Sequence, residues 1–320
     1  MSRVHITTPG RLHFGLLGWG PNAPRQFGGV GLMIERPGIE LVAEPGPRWE
    51  AEGPLAGRVL DVAERVAEGL ARRGVSVPTA RLRVVRAPAE HAGLGVGTQL
   101  SLAVARALAE LAGHRDLTTA TLAELTGRGR RSGIGLHGFR HGGLIVDGGH
   151  REAGGVPPLL ARLAVPREWK VLVVTPGGWP GLHGAREARA FEELPTPPEV
   201  VSDRLCRLVL LGLMPAVVER DLDAFGAALE ELQDEVGRCF APAQGGAFAR
   251  PESEAIVAWL RSEGLRGVGQ SSWGPTLYGF SDEPLERRSA VLGGLKARFG
   301  LGDASWTEAS GAGARLVVDP

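Results

Sequence analysis

The stretch "EHAGLGVGTQLSLAVARAL", Glu90 to Leu108, sets a glycine-rich turn (Gly93-Leu94-Gly95-Val96-Gly97) directly before an apolar-periodic run. Leu100, Ala103, Val104, Ala107, Leu108 and Leu111 recur at helical spacing, so a helix follows the turn and packs one apolar stripe on a sheet. Gly93, Gly95 and Gly97 let the backbone approach an anion closely. The helix start adds unpaired N–H groups and partial positive charge. Thr98 caps the helix or offers its hydroxyl to the ligand, and Gln99 follows it. The same glycines would also serve tight helix–sheet packing, and their spacing is neither the dinucleotide fingerprint nor the P-loop. The rest of the chain has to decide between a phosphate cradle and a packing device.

On the N-terminal side, Val4–Thr8, Gly29–Ile34 and Ile39–Glu44 read as strands bounded by Gly or Pro. Leu55–Arg73 reads as a helix stopped by Gly74, and Arg81–Val85 as a half-exposed strand. Beyond the loop, Thr118–Thr126 is a short helix with Thr118 as N-cap and Gly127 as stop, and Gly143–Val146 is a strand. The Pro/Gly-rich segment Glu152–Trp169 marks a boundary, dividing the chain into subdomains at 1–165 and 166–320. The second half reads as a strand (Val171–Thr175), helices near Ala185–Glu193, Glu199–Leu213, Asp221–Val236 and Glu252–Glu263, and short strands at Leu265–Gly267 and Thr276–Phe280. A helix at Leu285–Phe299 and strands at Ala304–Glu308 and Arg315–Val318 finish it. Strands and helices mix without strict βαβ order, so the fold class is α+β.

Bulk properties exclude several classes. The 320 residues can bury a sizeable core, and 36 basic against 36 acidic side chains give no basic excess for nucleic acid. Glycine is high at 48 residues against an average near ~7%, but it lies in short clusters rather than in one low-complexity tract. Arginine replaces lysine almost throughout, with only Lys170 and Lys296 left. Cys206 and Cys239 read as two reduced thiols in helical segments. No run reaches the roughly 18 apolar residues of a membrane span, and Met1–Ile6 opens no signal-peptide core. The expected setting is cytoplasmic, with no membrane partner.

Two further segments match the loop's context: "TTPGRLHFGLLG" (Thr7–Gly18) and "VGQSSWGPTLYGF" (Val268–Phe280). With the loop, they resemble the three signature motifs of the GHMP superfamily, which includes galactokinase, homoserine kinase, mevalonate kinase and phosphomevalonate kinase. The resemblance spans nearly the whole chain. It implies an α+β GHMP-kinase-like fold of two subdomains, ribosomal protein S5 domain 2-like at the N-terminus and ferredoxin-like in type at the C-terminus.

Departures from the kinase pattern are equally informative. The serine pair that follows G-L-G in the kinases is Val96-Gly97 here, and the aspartate of their S-G-x-D segment is Gly135, after Ser132-Gly133. Losing both argues against phosphoryl transfer. Within the superfamily, "RRSGIGLHGFRHGG" (Arg130–Gly143), with the other motifs, is similar to a non-kinase branch, the β-ribofuranosylaminobenzene 5′-phosphate synthases of methanopterin biosynthesis. That resemblance implies condensation of phosphoribosyl pyrophosphate with 4-aminobenzoate, releasing CO2 and pyrophosphate. An ATP-dependent small-molecule kinase and a non-catalytic phosphosugar- or nucleotide-binding protein remain the alternatives.

Such substrates carry phosphate, pyrophosphate and carboxylate, so anion binding should dominate the site. Gly93 to Gln99 would hold one phosphate by backbone N–H, and Arg11 and His13 come from the first motif. Arg130, Arg131, Ser132, Gly133, His137 and Arg140 crowd a glycine-rich segment where side chains can converge, with His137, Arg131 and His13 the catalytic candidates. One of Arg130 and Arg131 is expected to reach ligand, the other ending a basic helix. Ser271, Ser272 and Gly274 shape the site by turn geometry, and His183 and Glu187 reach it from the second subdomain. "QGGAFAR" (Gln244–Arg250) reads as a loop, a lid or a dimer contact, and a homodimer is left open. Mg²⁺ is the expected cofactor with its ligands unassigned; the reaction calls for no PLP, nicotinamide or flavin.

Overall fold

A computed structural model describes residues 3–151, 155–177, 181 and 184–319. Strand β1 (Arg3–Leu16) pairs antiparallel along its whole length with β2 (Gly29–Pro45), which the sequence divides into two strands at Pro37. The strand stays continuous because the register slips between Thr8 and Gly10, where both backbones nearly touch. A Cβ on Gly10 would collide with the Pro37 carbonyl, and one on Gly38 with that of Thr8.

Around this ribbon a seven-stranded sheet assembles in the order β11-β1-β2-β4-β3, with β5 pairing β2 and β6 pairing β5. Its further members are β3 (Glu50–Glu52), β4 (Ala80–Arg86), β5 (Leu144–Asp147), β6 (Leu159–Leu163) and β11 (Arg315–Asp319). Strand β6 forms inside the Pro/Gly-rich segment read as a boundary. The chain's last strand returns to the first sheet, so its edge is supplied from the C-terminal end.

Helix α1 (Ala56–Ala71) buries Val59, Val62, Ala63, Val66 and Leu70 on one face, and Gly74 at φ 78° turns the chain away after it. Helix α2 (Val96–Leu111) was expected to bury one stripe. Instead Leu102, Ala105 and Ala109 are buried as well, because α1 and α3 (Thr119–Thr126) pack across the side opposite the sheet. Its small alanines permit that close approach. Truncating a side chain such as Leu108 in this packing costs about 2–5 kcal/mol. In α3, Thr118 Oγ1 accepts from Thr121 N at 3.1 Å and Gly127 adopts φ 65°, the cap and stop read from sequence.

The segment Arg130–Gly143 holds a helix that its five glycines conceal, α4 (Ile134–His141). Buried Asp147 fixes its start, accepting from Ser132 Oγ at 3.0 Å and Gly133 N at 2.9 Å. Gly138 is required because a Cβ there would meet Met33 Sδ.

The second sheet has the order β10-β7-β9-β8, all antiparallel, from β7 (Lys170–Val174), β8 (Arg266–Gln270), β9 (Leu277–Ser281) and β10 (Ala304–Glu308). Helices α5 (Gly184–Glu193), α6 (Glu199–Leu208), α7 (Met214–Glu219), α8 (Leu222–Gln244), α9 (Pro251–Ser262) and α10 (Leu285–Phe299) complete it. A π-helical turn, Val209–Leu213, joins α6 to α7 just before Pro215, which has no N–H to donate into a regular ladder. Helix α8 begins with Asp221 Oδ1 accepting from Ala224 N at 2.9 Å and runs two turns beyond Val236. That extension brings Phe240 to the boundary between the two sheets' territories. Cys206 and Cys239 are both free thiols. No helix among the described residues is long and apolar enough to cross a membrane.

Candidate functional site

The three motifs meet at one point. Arg11 N donates to Leu94 O at 3.1 Å, joining the first motif to the glycine loop. Ser271 Oγ donates to Gly93 O at 2.7 Å and accepts from His13 N at 3.0 Å, while Ser272 N donates to His13 O at 3.0 Å. Fully buried Ser271 is therefore the staple that holds all three segments in register. Replacing it with Ala leaves a buried N–H and a buried carbonyl without this partner. The expected loss is about 1–3 kcal/mol of stability, measured by urea denaturation.

At the loop, Gly95 adopts φ 71° and precedes α2, with Thr98 N and Gln99 N both donating to its carbonyl at 3.0 Å. Val96, Gly97 and Thr98 of this first turn, where an α-helix leaves N–H groups without intrahelical partners, line a cleft of about 490 Å³ built from both halves of the chain. Arg11 flanks the loop on one side. Its Nη2 donates to Gly93 O at 3.3 Å, its Nε is buried with no partner, and burial pulls its pKa down to about 10, against the attraction of Glu187. Arg128 flanks the other side, also with an unpartnered buried Nε. Burial first, then Arg58 and Arg65, bring its pKa down to about 10. A Cβ on Gly97 would sit 2.6 Å from Arg58 Nη2, so this arginine lies over the loop as well, tied to Glu90. Two desolvated guanidiniums with spare donors are costly without an anion, and an anion between them would offset that cost.

The opposite wall is apolar. Phe191 of α5, Phe240 of α8 and Trp273 of the third motif pack with ring centroids 5.3 Å (191–273), 4.5 Å (240–273) and 6.1 Å (191–240) apart. Arg131 stands where the two walls meet. Its Cζ lies 4.9 Å from the Phe191 ring centroid, and its Nη2 donates to Glu187 Oε2 at 2.7 Å.

Of the residues singled out in the sequence, Arg11, His13, Gly93 to Thr98, Arg130, Arg131, Ser132, Glu187, Ser272 and Gly274 all line this cleft. Arg130 and Arg131 both line it. Gln99 and Gly133 lie behind the wall: Gln99 Nε2 donates to Gly135 O at 3.0 Å, and Gly133 N binds Asp147. His137 was expected between glycines with little to pack into. On α4 it is buried, and its Nε2 lies 2.7 Å from Pro157 O, apart from the cleft lining. Arg140 is exposed in the last turn of α4, away from the cleft, and His183 lies outside the described residues. Sequence reasoning missed Arg58 and Arg128. Arg128 had a signal in the alternating Gly127-Arg128-Gly129-Arg130 run; Arg58, on a mostly polar helix face, had none.

His13 is buried, and its pKa is pushed well below the usual histidine value, first by burial and then by Arg11. The folded chain thus refuses a proton that the unfolded chain accepts below pH ~6.5. Stability is expected to fall as pH drops through that value, by up to about 1.4 kcal/mol per pH unit. His13→Asn should flatten the fall, seen as a smaller difference between urea midpoints at neutral and mildly acidic pH.

Among the described residues no three His, Cys, Asp or Glu side chains gather to hold a metal ion. The lining carboxylate, Glu187, is engaged by Arg131, and the other charged groups there are arginines. That donor set does not fit a resident Mg²⁺.

Two stretches match known family descriptions, GHMP kinases N terminal domain over residues 58–144 and GHMP kinases C terminal over 213–299. The chain is 37% identical over 295 residues to a beta-ribofuranosylphenol 5′-phosphate synthase of Archaeoglobus fulgidus, covering 87% of this chain and 88% of that protein. It is 34% identical over 307 residues to the enzyme of the same name from Methanothermobacter thermautotrophicus, covering 87% and 88%. Among solved structures, a homoserine kinase from Cytophaga hutchinsonii superimposes with a TM-score of 0.72 at 16% identity, covering 98% of this chain and 97% of that one. A mevalonate diphosphate decarboxylase from Staphylococcus aureus gives 0.66 at 13%, covering 99% and 98%. The last two likenesses concern the fold alone.

Proposed function

The chain belongs to the GHMP superfamily and, within it, to the family of the beta-ribofuranosylphenol 5′-phosphate synthases, and on that premise we propose that it transfers a ribosyl 5-phosphate group from phosphoribosyl pyrophosphate to the ring of a para-substituted benzoate. In this reaction the bond from ribose C1 to pyrophosphate breaks, and C1 bonds to the ring carbon that bears the carboxylate. The carboxylate then leaves as CO2, and its bonding pair restores the aromatic ring. Atoms and electrons balance without an oxidant or reductant.

The observation that carries this reading is the cleft's charge: buried Arg11 and Arg128 with spare Nε donors beside the glycine loop, and Glu187 already bound to Arg131. Arginines and backbone N–H groups suit a diphosphate leaving group, whose charge grows as C1 takes on oxocarbenium character. A kinase needs a base for the attacking alcohol. Here Gly135 stands where the kinases carry that aspartate and packs against Thr98, where a Cβ would lie 3.0 Å from Thr98 Cγ2. Any Mg²⁺ would arrive on the diphosphate as part of the substrate. The place in metabolism supported by the motifs is methanopterin biosynthesis.

The para substituent is the finer question. The motifs point to 4-aminobenzoate, while the product in the relatives' name, a ribofuranosylphenol, calls for 4-hydroxybenzoate. Purified protein supplied with phosphoribosyl pyrophosphate, Mg²⁺ and either acid is expected to turn over both. The larger kcat/KM identifies the acceptor. Turnover of neither acid, with ADP formed instead from ATP and an added alcohol, would reject the reading.

A further inference from the structure

The donor substrate, a sugar with anionic groups at both ends, has no use for an aromatic wall. Yet part of the cleft is one: Phe191, Phe240 and Trp273 bring rings from two helices and the third motif into the same lining as the arginines. Resting on the function proposed above, we infer that this wall is the acceptor subsite, with the acceptor ring lying against Phe191 and Trp273 and its carboxylate on Arg131.

The chemistry fixes the orientation. The ring carbon that attacks ribose C1 also carries the carboxylate, so that end of the ring faces the phosphate-binding arginines and the para substituent points away along the apolar wall. Arg131 is the cation at that seam, stacked over Phe191 and paired with Glu187. Glu187 aligns the guanidinium fork while leaving other donors of the five available to a second carboxylate. Because Arg131 sits over a ring face, the acceptor's carboxylate and its ring find complementary partners side by side.

The test separates the two substrates. Phe191→Ala is expected to raise KM for the benzoate at least tenfold and leave KM for phosphoribosyl pyrophosphate within twofold; Arg131→Gln should show the same split. Should Phe191→Ala not fold, Phe191→Leu carries the test, with a threefold or larger rise in acceptor KM. A second readout needs no turnover: 4-aminobenzoate or 4-hydroxybenzoate should quench tryptophan emission in the unmodified protein, with the quench lost in Trp273→Phe. A rise confined to KM for phosphoribosyl pyrophosphate, or a quench unchanged in Trp273→Phe, overturns the assignment. Quenching that depends on Trp273 without any CO2 release would keep the aromatic subsite and reject the decarboxylating reaction.

Discussion

Replacing Arg11 by Met is expected to lower kcat/KM for phosphoribosyl pyrophosphate about 10²–10³-fold, the size of effect seen when one preorganised donor to a developing anion is removed. The side chain lies against Gly95 with a buried, unpartnered Nε, and burial holds its pKa down to about 10. The folded protein without ligand therefore carries the cost of a desolvated charge that Glu187 and the Gly93 carbonyl offset in part and a bound anion would offset further. Methionine keeps the volume and removes that cost, so the thermal midpoint of Arg11→Met should stay level or rise while activity collapses. Loss of stability together with unchanged kcat/KM would mean that Arg11 serves packing and not the phosphate.

Gly95→Val is expected to abolish measurable binding of phosphoribosyl pyrophosphate and to cost about 1–2 kcal/mol of stability, since φ 71° is strained for any residue with a Cβ. The added carbon would lie 2.9 Å from Arg11 Nε and 3.1 Å from Arg11 Cβ, displacing the guanidinium from the loop. Isothermal titration with the diphosphate and urea denaturation read the two effects separately. Binding within a few-fold of the unmodified protein would reassign the glycine loop to helix–sheet packing.

Local signals predicted the elements best where caps and periodicity coincide. Helix α10 at Leu285–Phe299 and the Thr118 and Gly127 ends of α3 lie where the residues imply. Helix α4 was hidden because Gly135 and Gly138, poor helix formers, are there to admit Thr98 and Met33. The same helix turns His137 inward to Pro157 O, a direction that a run of glycines cannot reveal. Motif order located Arg11, the glycine loop and the third motif, since each contributes backbone geometry encoded within a few residues. The aromatic wall was not legible: Phe191, Phe240 and Trp273 are far apart in the chain, and each reads alone as ordinary core. Arg58 escaped for the same reason, because its place over Gly97 depends on how α1 packs on α2.

The most direct test of the reaction is stoichiometric. With phosphoribosyl pyrophosphate and a carboxyl-labelled para-substituted benzoate, and no ATP, the account predicts that labelled CO2 and pyrophosphate appear in equal amounts and at equal rates. Pyrophosphate released while the label stays in the aromatic product, or no release of either, would contradict it.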